Sequence, residues 1–215
     1  MDSNRRRYKN VNGIVLPGVT TILEQELGWS KRILINWANR LGLDGVDCNK
    51  YTDDKAAIGT LAHQFILDDF RQLKTDTSDY TQKQISSAEN SMLSYLEWKK
   101  GMLLEPILLE QPLISECHKF GGTLDFYGKV NGKLTLLDFK SGKGIYSEHS
   151  LQTCAYQLLL QENNYETEQI IILNIPRSED ESFAVKIVTH WDICQKIFLN
   201  CLENYKLKKI IKGND

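Results

Sequence analysis

The sequence predicts a mixed α/β fold: one central sheet with an antiparallel meander, flanked by helices, behind a helical N-terminal region. Three observations carry this expectation. Apolar residues recur at helical spacing through the first hundred positions, as in Ile58, Leu61, Ala62 and Phe65. From Glu105 the pattern changes to three β-like segments, two of them joined by Asn131-Gly132. A helical stretch, a short apolar run and a last amphipathic helix then follow, which adds a helix–strand unit to the meander. The 215 residues read as one domain, with 1–104 as its helical part and 105–215 as its sheet-centred catalytic core.

Thr20–Leu27 and Ser30–Leu41 read as short helices around Gly28. Thr52 reads as an N-cap, with Asp53 and Asp54 in a first turn where negative charge suits the helix dipole, and the helix runs to about Leu73. Ile85, Ala88, Met92, Tyr95 and Leu96 mark the next helix, ending near Gly101. Strands are expected over 106–115, 120–130 and 133–140, then a helix over Ser147–Asn163. Gln169–Ile175 reads as a buried strand, Phe183–Val188 as an edge strand, and Trp191–Ile210 as the last helix.

Composition narrows the function classes. The longest mostly apolar stretch, near Ile170 to Ile175, is about six residues with Asn174 inside it, against the ~20 that a bilayer span needs, so no membrane partner is expected. Polar Met1–Asn10 does not read as a secretory signal. Five cysteines (Cys48, Cys117, Cys154, Cys194, Cys201), with no C-x-x-C, fit free thiols in a reducing, cytoplasmic compartment. Net charge is −2, but residues 1–40 carry seven basic groups against three acidic, and the tail adds Lys206, Lys208, Lys209 and Lys212. These runs are either solvated surface or contacts for backbone phosphates.

Asn-Gly supplies the two positive-φ residues of a type I′ turn. With Asn131-Gly132 as the turn, Val130 pairs with Lys133 and Phe126 with Leu137, and Leu124 faces Phe139 on the same, core side. Asp125 then stands opposite Asp138, with Cβ atoms ~5 Å apart. Lys140 lies two residues on, pointing the same way. Facing carboxylates either lie open to water, where repulsion is small, or share a divalent cation. All-carboxylate donors favour Mg²⁺ or Mn²⁺ over zinc. A lysine beside such an ion suits phosphodiester hydrolysis.

Gly122-Thr123-Leu124-Asp125 followed by Asp138-Phe139-Lys140-Ser141-Gly142 resembles the PD-(D/E)XK nucleases. The branch it resembles most is that of the RecB-type and mitochondrial genome maintenance exonucleases, with many phage relatives. Gly59-Thr60-Leu61-Ala62-His63 resembles that branch's G-x-x-x-H motif, and Gln152-Thr153-Cys154-Ala155-Tyr156 its Q-x-x-x-Y motif. Glu110, twelve residues before Gly122, resembles its glutamate. Leu16–Leu23 resembles its entry segment, departing at Gly18 where serine is usual. Together these motifs span Leu16 to Tyr156.

The resemblance implies a restriction-endonuclease-like core and a Mg²⁺- or Mn²⁺-dependent DNA exonuclease acting on single-stranded ends in repair, recombination or phage DNA processing. It implies that Asp125, Asp138, the Phe139 carbonyl and His63 bind metal, and that Lys140 positions water or steadies the transition state. Glu110 then orders the metal site, and Gln152 and Tyr156 face the active site and the DNA backbone from one helix face. Each has a plainer alternative: His63 as a structural histidine, Glu110 as a strand-surface carboxylate with Glu116 as its rival, Gln152–Tyr156 as a helix contact. An endonuclease of the same fold and a non-catalytic nucleic-acid-binding module are the rival functions. Some relatives hold an iron–sulfur cluster on four cysteines; the cysteine gaps here, 69, 37, 40 and 7, do not suit one.

Overall fold

The computed structural model describes residues 8–213. Arg5, Arg6 and Arg7 of the N-terminal basic cluster lie outside the described residues. Strands β1 (Tyr8–Lys9) and β2 (Val15–Leu16) form a small antiparallel hairpin. Helices α1 (Val19–Glu26), α2 (Lys31–Leu43), α3 (Cys48–Arg71) and α4 (Gln82–Lys99) follow. Then come β3 (Leu104–Ser115), β4 (Phe120–Val130), β5 (Lys133–Ser141), α5 (Ser147–Glu162), β6 (Gln169–Ile175), β7 (Ala184–Ile187) and α6 (Trp191–Ile211).

The main sheet has the order β3-β4-β5-β6-β7. The first three strands are an antiparallel meander, α5 carries the chain to β6 parallel to β5, and β7 closes the far edge antiparallel. The parallel neighbour explains why β6 is almost wholly apolar: it is covered on both faces. Ile170 and Ile172 pack into a core with α1, α5 and α6, while Ile171, Leu173 and Ile175 pack into a second core with α3 and α4. The sheet thus separates two cores. No described helix is long and apolar enough to cross a membrane.

One local expectation is corrected and one small element is new. Helix α3 begins at Cys48, because the Asp47 carboxylate accepts the Asn49 and Lys50 N–H groups at 2.9 and 3.2 Å. Thr52 instead lies inside the helix, its hydroxyl donating back to the Cys48 and Asn49 carbonyls. The β1–β2 hairpin, which strand periodicity did not reveal, is two residues per strand. Its loop is closed by the Asn10 side chain, which accepts the Asn12 and Ile14 N–H groups.

Candidate active site

The Asn131-Gly132 turn has the expected positive φ at both residues, +50° and +83°. Its register runs as expected from Val130↔Lys133 to Phe126↔Leu137, and there the ladder stops. Asp125 and Asp138 do not form the next cross-strand pair. Strand β4 changes phase at this point. Phe126 packs on the α3/α4 side with Leu137 and Phe139, whereas Leu124, two residues away, packs on the α1/α5/α6 side. In a regular strand they would share a face. Strand β3 breaks at the same level. Its pairs with β4 run through Leu109↔Phe126 and resume at Gln111↔Leu124, skipping Glu110 and Asp125. Glu110 is left-handed, with φ +49°. Such a conformation at a non-glycine residue costs of order 1–3 kcal/mol and concentrates at functional sites.

Breaking the ladder frees a backbone donor, and a carboxylate takes it. The Phe139 N–H donates to Asp125 Oδ2 at 2.8 Å, while Asp125 Oδ1 lies 3.5 Å from His63 Nδ1. Asp138 is buried, with Lys140 Nζ 2.7 Å from its Oδ2. That contact is ionic rather than an aligned hydrogen bond: among the described residues none donates to Asp138 Oδ2 with good geometry.

The two carboxyls are pushed apart in pKa. Burial raises Asp125, but the charges and hydrogen bonds of His63, Lys140 and the Phe139 N–H outweigh it and hold the group below the ordinary range. Burial and the Asp125 charge lift Asp138 to about 6, against the pull of Lys140. His63 is disfavoured as a cation by burial, yet Asp125 raises it above the usual histidine value. Two neighbouring acids with divergent protonation are a recurrent catalytic arrangement.

Motif glycines allow the close packing around this point. A Cβ at Gly59 would lie 2.7 Å from Ser141 Oγ, so its absence lets α3 approach the end of β5 one turn before His63. A Cβ at Gly122 would lie 2.7 and 2.9 Å from the Tyr156 ring. Tyr156 is buried, accepts a 2.7 Å hydrogen bond from Gln152 Nε2, and has its pKa driven well above 10 by burial and by the Asp138 charge.

A cavity of about 500 Å³ opens beside α3, lined by His63, Glu110, Asp125, Phe139 and Ser141 together with Lys55, Thr60, Gln64 and Arg177. Four of the expected site residues therefore share one wall. Asp138 and Lys140 do not line it, but both interact through charge with Asp125 and His63. Gln152 does not join the cavity: α5 packs on the opposite sheet face, and Gln152 lines a cleft of about 420 Å³ with Ser30, Lys31, Glu148 and His149. Glu116 lies elsewhere, at the β3–β4 turn, accepting from the Val11 N–H and Lys119.

Sequence reasoning missed two cations of the cavity. Lys55 precedes Gly59 and His63 at intervals of four, one helix face, and that spacing was a usable signal. Arg177 follows Pro176 in the loop after β6 and has no local signature. Glu181 anchors it through paired contacts to Nε at 3.0 and 3.2 Å and a further one to its terminal nitrogen.

Comparison with known proteins bears on the family and the fold. The sequence profile of the PD-(D/E)XK nuclease superfamily matches residues 38–203, well over half of the chain. No curated protein matches. Among solved structures, a candidate exonuclease from Eubacterium rectale superposes with a TM-score of 0.50 at 14% identity, covering 74% of this chain and 69% of that one. At that identity the likeness concerns the fold. A second structure, SSO0001, gives a TM-score of 0.35 at 14% identity over 72% of this chain and 74% of that one, too low to argue from. With a profile match over most of its length and a five-stranded mixed sheet flanked by helices, the chain belongs to the PD-(D/E)XK nuclease superfamily.

Proposed function

We propose that this chain is a Mg²⁺- or Mn²⁺-dependent deoxyribonuclease that digests single-stranded DNA from its ends. The observation that carries the reading is geometric: at the end of one hairpin Asp125 lies 3.5 Å from His63 and takes the Phe139 N–H at 2.8 Å, and Asp138 lies 2.7 Å from Lys140. The exonucleolytic part rests on the motif resemblance to the RecB-type branch, Gly59 to His63 and Gln152 to Tyr156.

The residues present fit a hard divalent cation. Asp138 is a buried carboxylate held against a cation, the Lys140 ammonium at 2.7 Å from Oδ2, and together with Asp125 and the Phe139 carbonyl it offers the oxygen donors such an ion takes. Asp125, Asp138 and the Phe139 carbonyl would hold the ion, with His63 as a nitrogen ligand and Glu110 ordering the site across the kink. Such an ion, when bound, supplies Lewis acidity and a water of lowered pKa.

The chain supplies the remaining chemistry. Lys140, freed from Asp138, donates to the attacking water or to a non-bridging phosphate oxygen as negative charge builds on phosphorus. Water adds to phosphorus, the P–O bond to the departing nucleoside breaks, and a proton passes to the leaving oxygen. Lys55 and Arg177 hold the neighbouring phosphates, Arg177 kept in place by Glu181. Gln152, braced by Tyr156, positions the strand from the α5 side.

End-labelled linear and circular single-stranded DNA, incubated with each metal, test the reading. Release of end label with the circle intact is expected. Scission of the circle would make the protein an endonuclease, and no cleavage with either metal would make it a binding module. Lys140→Ala should lower the rate by ~10²–10³ while leaving metal affinity largely unchanged. Near-normal turnover of that variant at saturating metal would remove Lys140 from the chemistry.

A further inference from the structure

A second group of ligating side chains lies away from the cavity, at the β3–β4 turn. Cys117, His118 and Glu162 bring a thiol, an imidazole and a carboxylate within 4.8 Å of one another. His118 Nε2 is 3.6 Å from Glu162 Oε1. Tetrahedral zinc, with bonds of ~2.0–2.3 Å, holds its ligand atoms roughly 3.3–3.7 Å apart. The His–Glu edge already has that length, and Cys117, which is exposed, needs only a small side-chain movement to complete the triangle.

The turn is organised around this arrangement. Ser115 is buried; its hydroxyl donates to Glu162 Oε1 at 2.8 Å and accepts the His118 N–H at 2.7 Å. One side chain therefore fixes both the carboxylate and the backbone that carries the imidazole, the kind of outer support that metal ligands show. Lys119, with φ +61°, turns the chain back into β4. Asn163 ties the end of α5 to β3 by donating to the Ile114 carbonyl at 3.0 Å.

We propose that Cys117, His118 and Glu162 form a zinc-class metal site, with water as the fourth ligand, that clamps the β3–β4 turn to the C-terminal end of α5. Thiolate and imidazole select a borderline-soft ion such as Zn²⁺ over Mg²⁺, so the site is chemically distinct from the oxygen-rich set at Asp125 and Asp138. Its role is structural: it joins β4, which carries Asp125, to α5, which carries Gln152, and it takes no part in cleavage.

Co²⁺ titration of the metal-stripped, reduced full-length protein tests this, because a thiolate ligand gives Co²⁺ a sulfur-to-metal charge-transfer band that oxygen and nitrogen ligands do not. One equivalent should develop the band, Zn²⁺ should bleach it, and Cys117→Ser should abolish it. Cys48→Ser and Asp125→Asn should both retain it. In the Asp125→Asn background, Zn²⁺ at a hundredfold excess over its Kd should raise Tm by about 5–10 °C, and adding Cys117→Ser should remove that gain. Absence of the band from the wild-type protein, its persistence in Cys117→Ser, or a Zn²⁺-independent Tm would each overturn the site.

Discussion

Asp138 is the residue at which burial and chemistry conflict most sharply. Burial holds its folded-state pKa at about 6, above the value in an unfolded chain. A raised carboxyl pKa means the native state binds the proton more tightly, so this contribution to stability is complete below about pH 4 and is lost as pH rises through about 6. Asp125 acts in the opposite sense: its lowered pKa stabilises above the unfolded value and is lost in acid. Asp138→Asn keeps the shape and removes only the first effect. In EDTA the variant should melt with wild type near pH 4 and above it at pH 8, where ~1 kcal/mol corresponds to about 2–4 °C for a chain of this size. Mg²⁺ or Mn²⁺ should narrow or reverse the gap, because wild type gains binding energy the variant lacks. A variant that melts lower than wild type at pH 8 in EDTA would show that Lys140 more than compensates the buried charge.

At the scale of elements, the hairpin tests how far sequence pattern reaches. Asn131-Gly132 fixed a register that the structure follows for five pairs, because the turn type and a period of two determine it. The same period made Asp125 the next cross-strand partner of Asp138, a pair that the ladder does not form. Its phase resets where Glu110 takes φ +49°, and nothing in the residue types around Glu110 announces a left-handed backbone. Long helices with one apolar stripe, such as α3 and α6, were legible, whereas α3's start was not, since Asp47 and Thr52 are both good caps and only the fold chooses. His63, Glu110 and Asp125 were legible because several short motifs agree in order; Arg177 was not, because a loop delivers it. The packing of α5 on β4 offers a prediction of its own. Gly122→Ala would set a methyl against the Tyr156 ring and 3.0 Å from Leu159 Cδ1, with little room to yield. Overpacking of this kind costs ~1–3 kcal/mol. Denaturant melts should show that loss, with α5 and Gln152 displaced and cleavage falling more than metal affinity. An unchanged midpoint would mean that α5 shifts freely on the sheet and that Gly122 is not what holds it close.

For the whole molecule, the question is how a chain of net charge −2 binds a polyanion. A protein that relied on its overall field would be basic. Here the sheet, by dividing two cores, leaves the break in β3 and β4 beside α3, and among the described residues the cations at the site are Lys55 and Arg177 on the cavity wall and Lys140 against Asp138. If these are the cations that bind the strand, as proposed, attraction acts at short range and engages only a few phosphates. For single strands the slope of log K against log salt is about −0.7 per phosphate neutralised, so three contacts give a slope of about −2. Fluorescence anisotropy of a short labelled oligonucleotide, measured with Ca²⁺ in place of the active ion over a KCl series, should return that shallow slope. Lys55→Ala should reduce it by about 0.7 and weaken binding by a similar factor for every sequence, because a phosphate contact carries no base information. A slope steeper than about −4 in the wild-type protein would assign the binding to cations outside the cavity, with the N-terminal arginines as the first place to look. An unchanged slope in Lys55→Ala would remove that lysine from the DNA path.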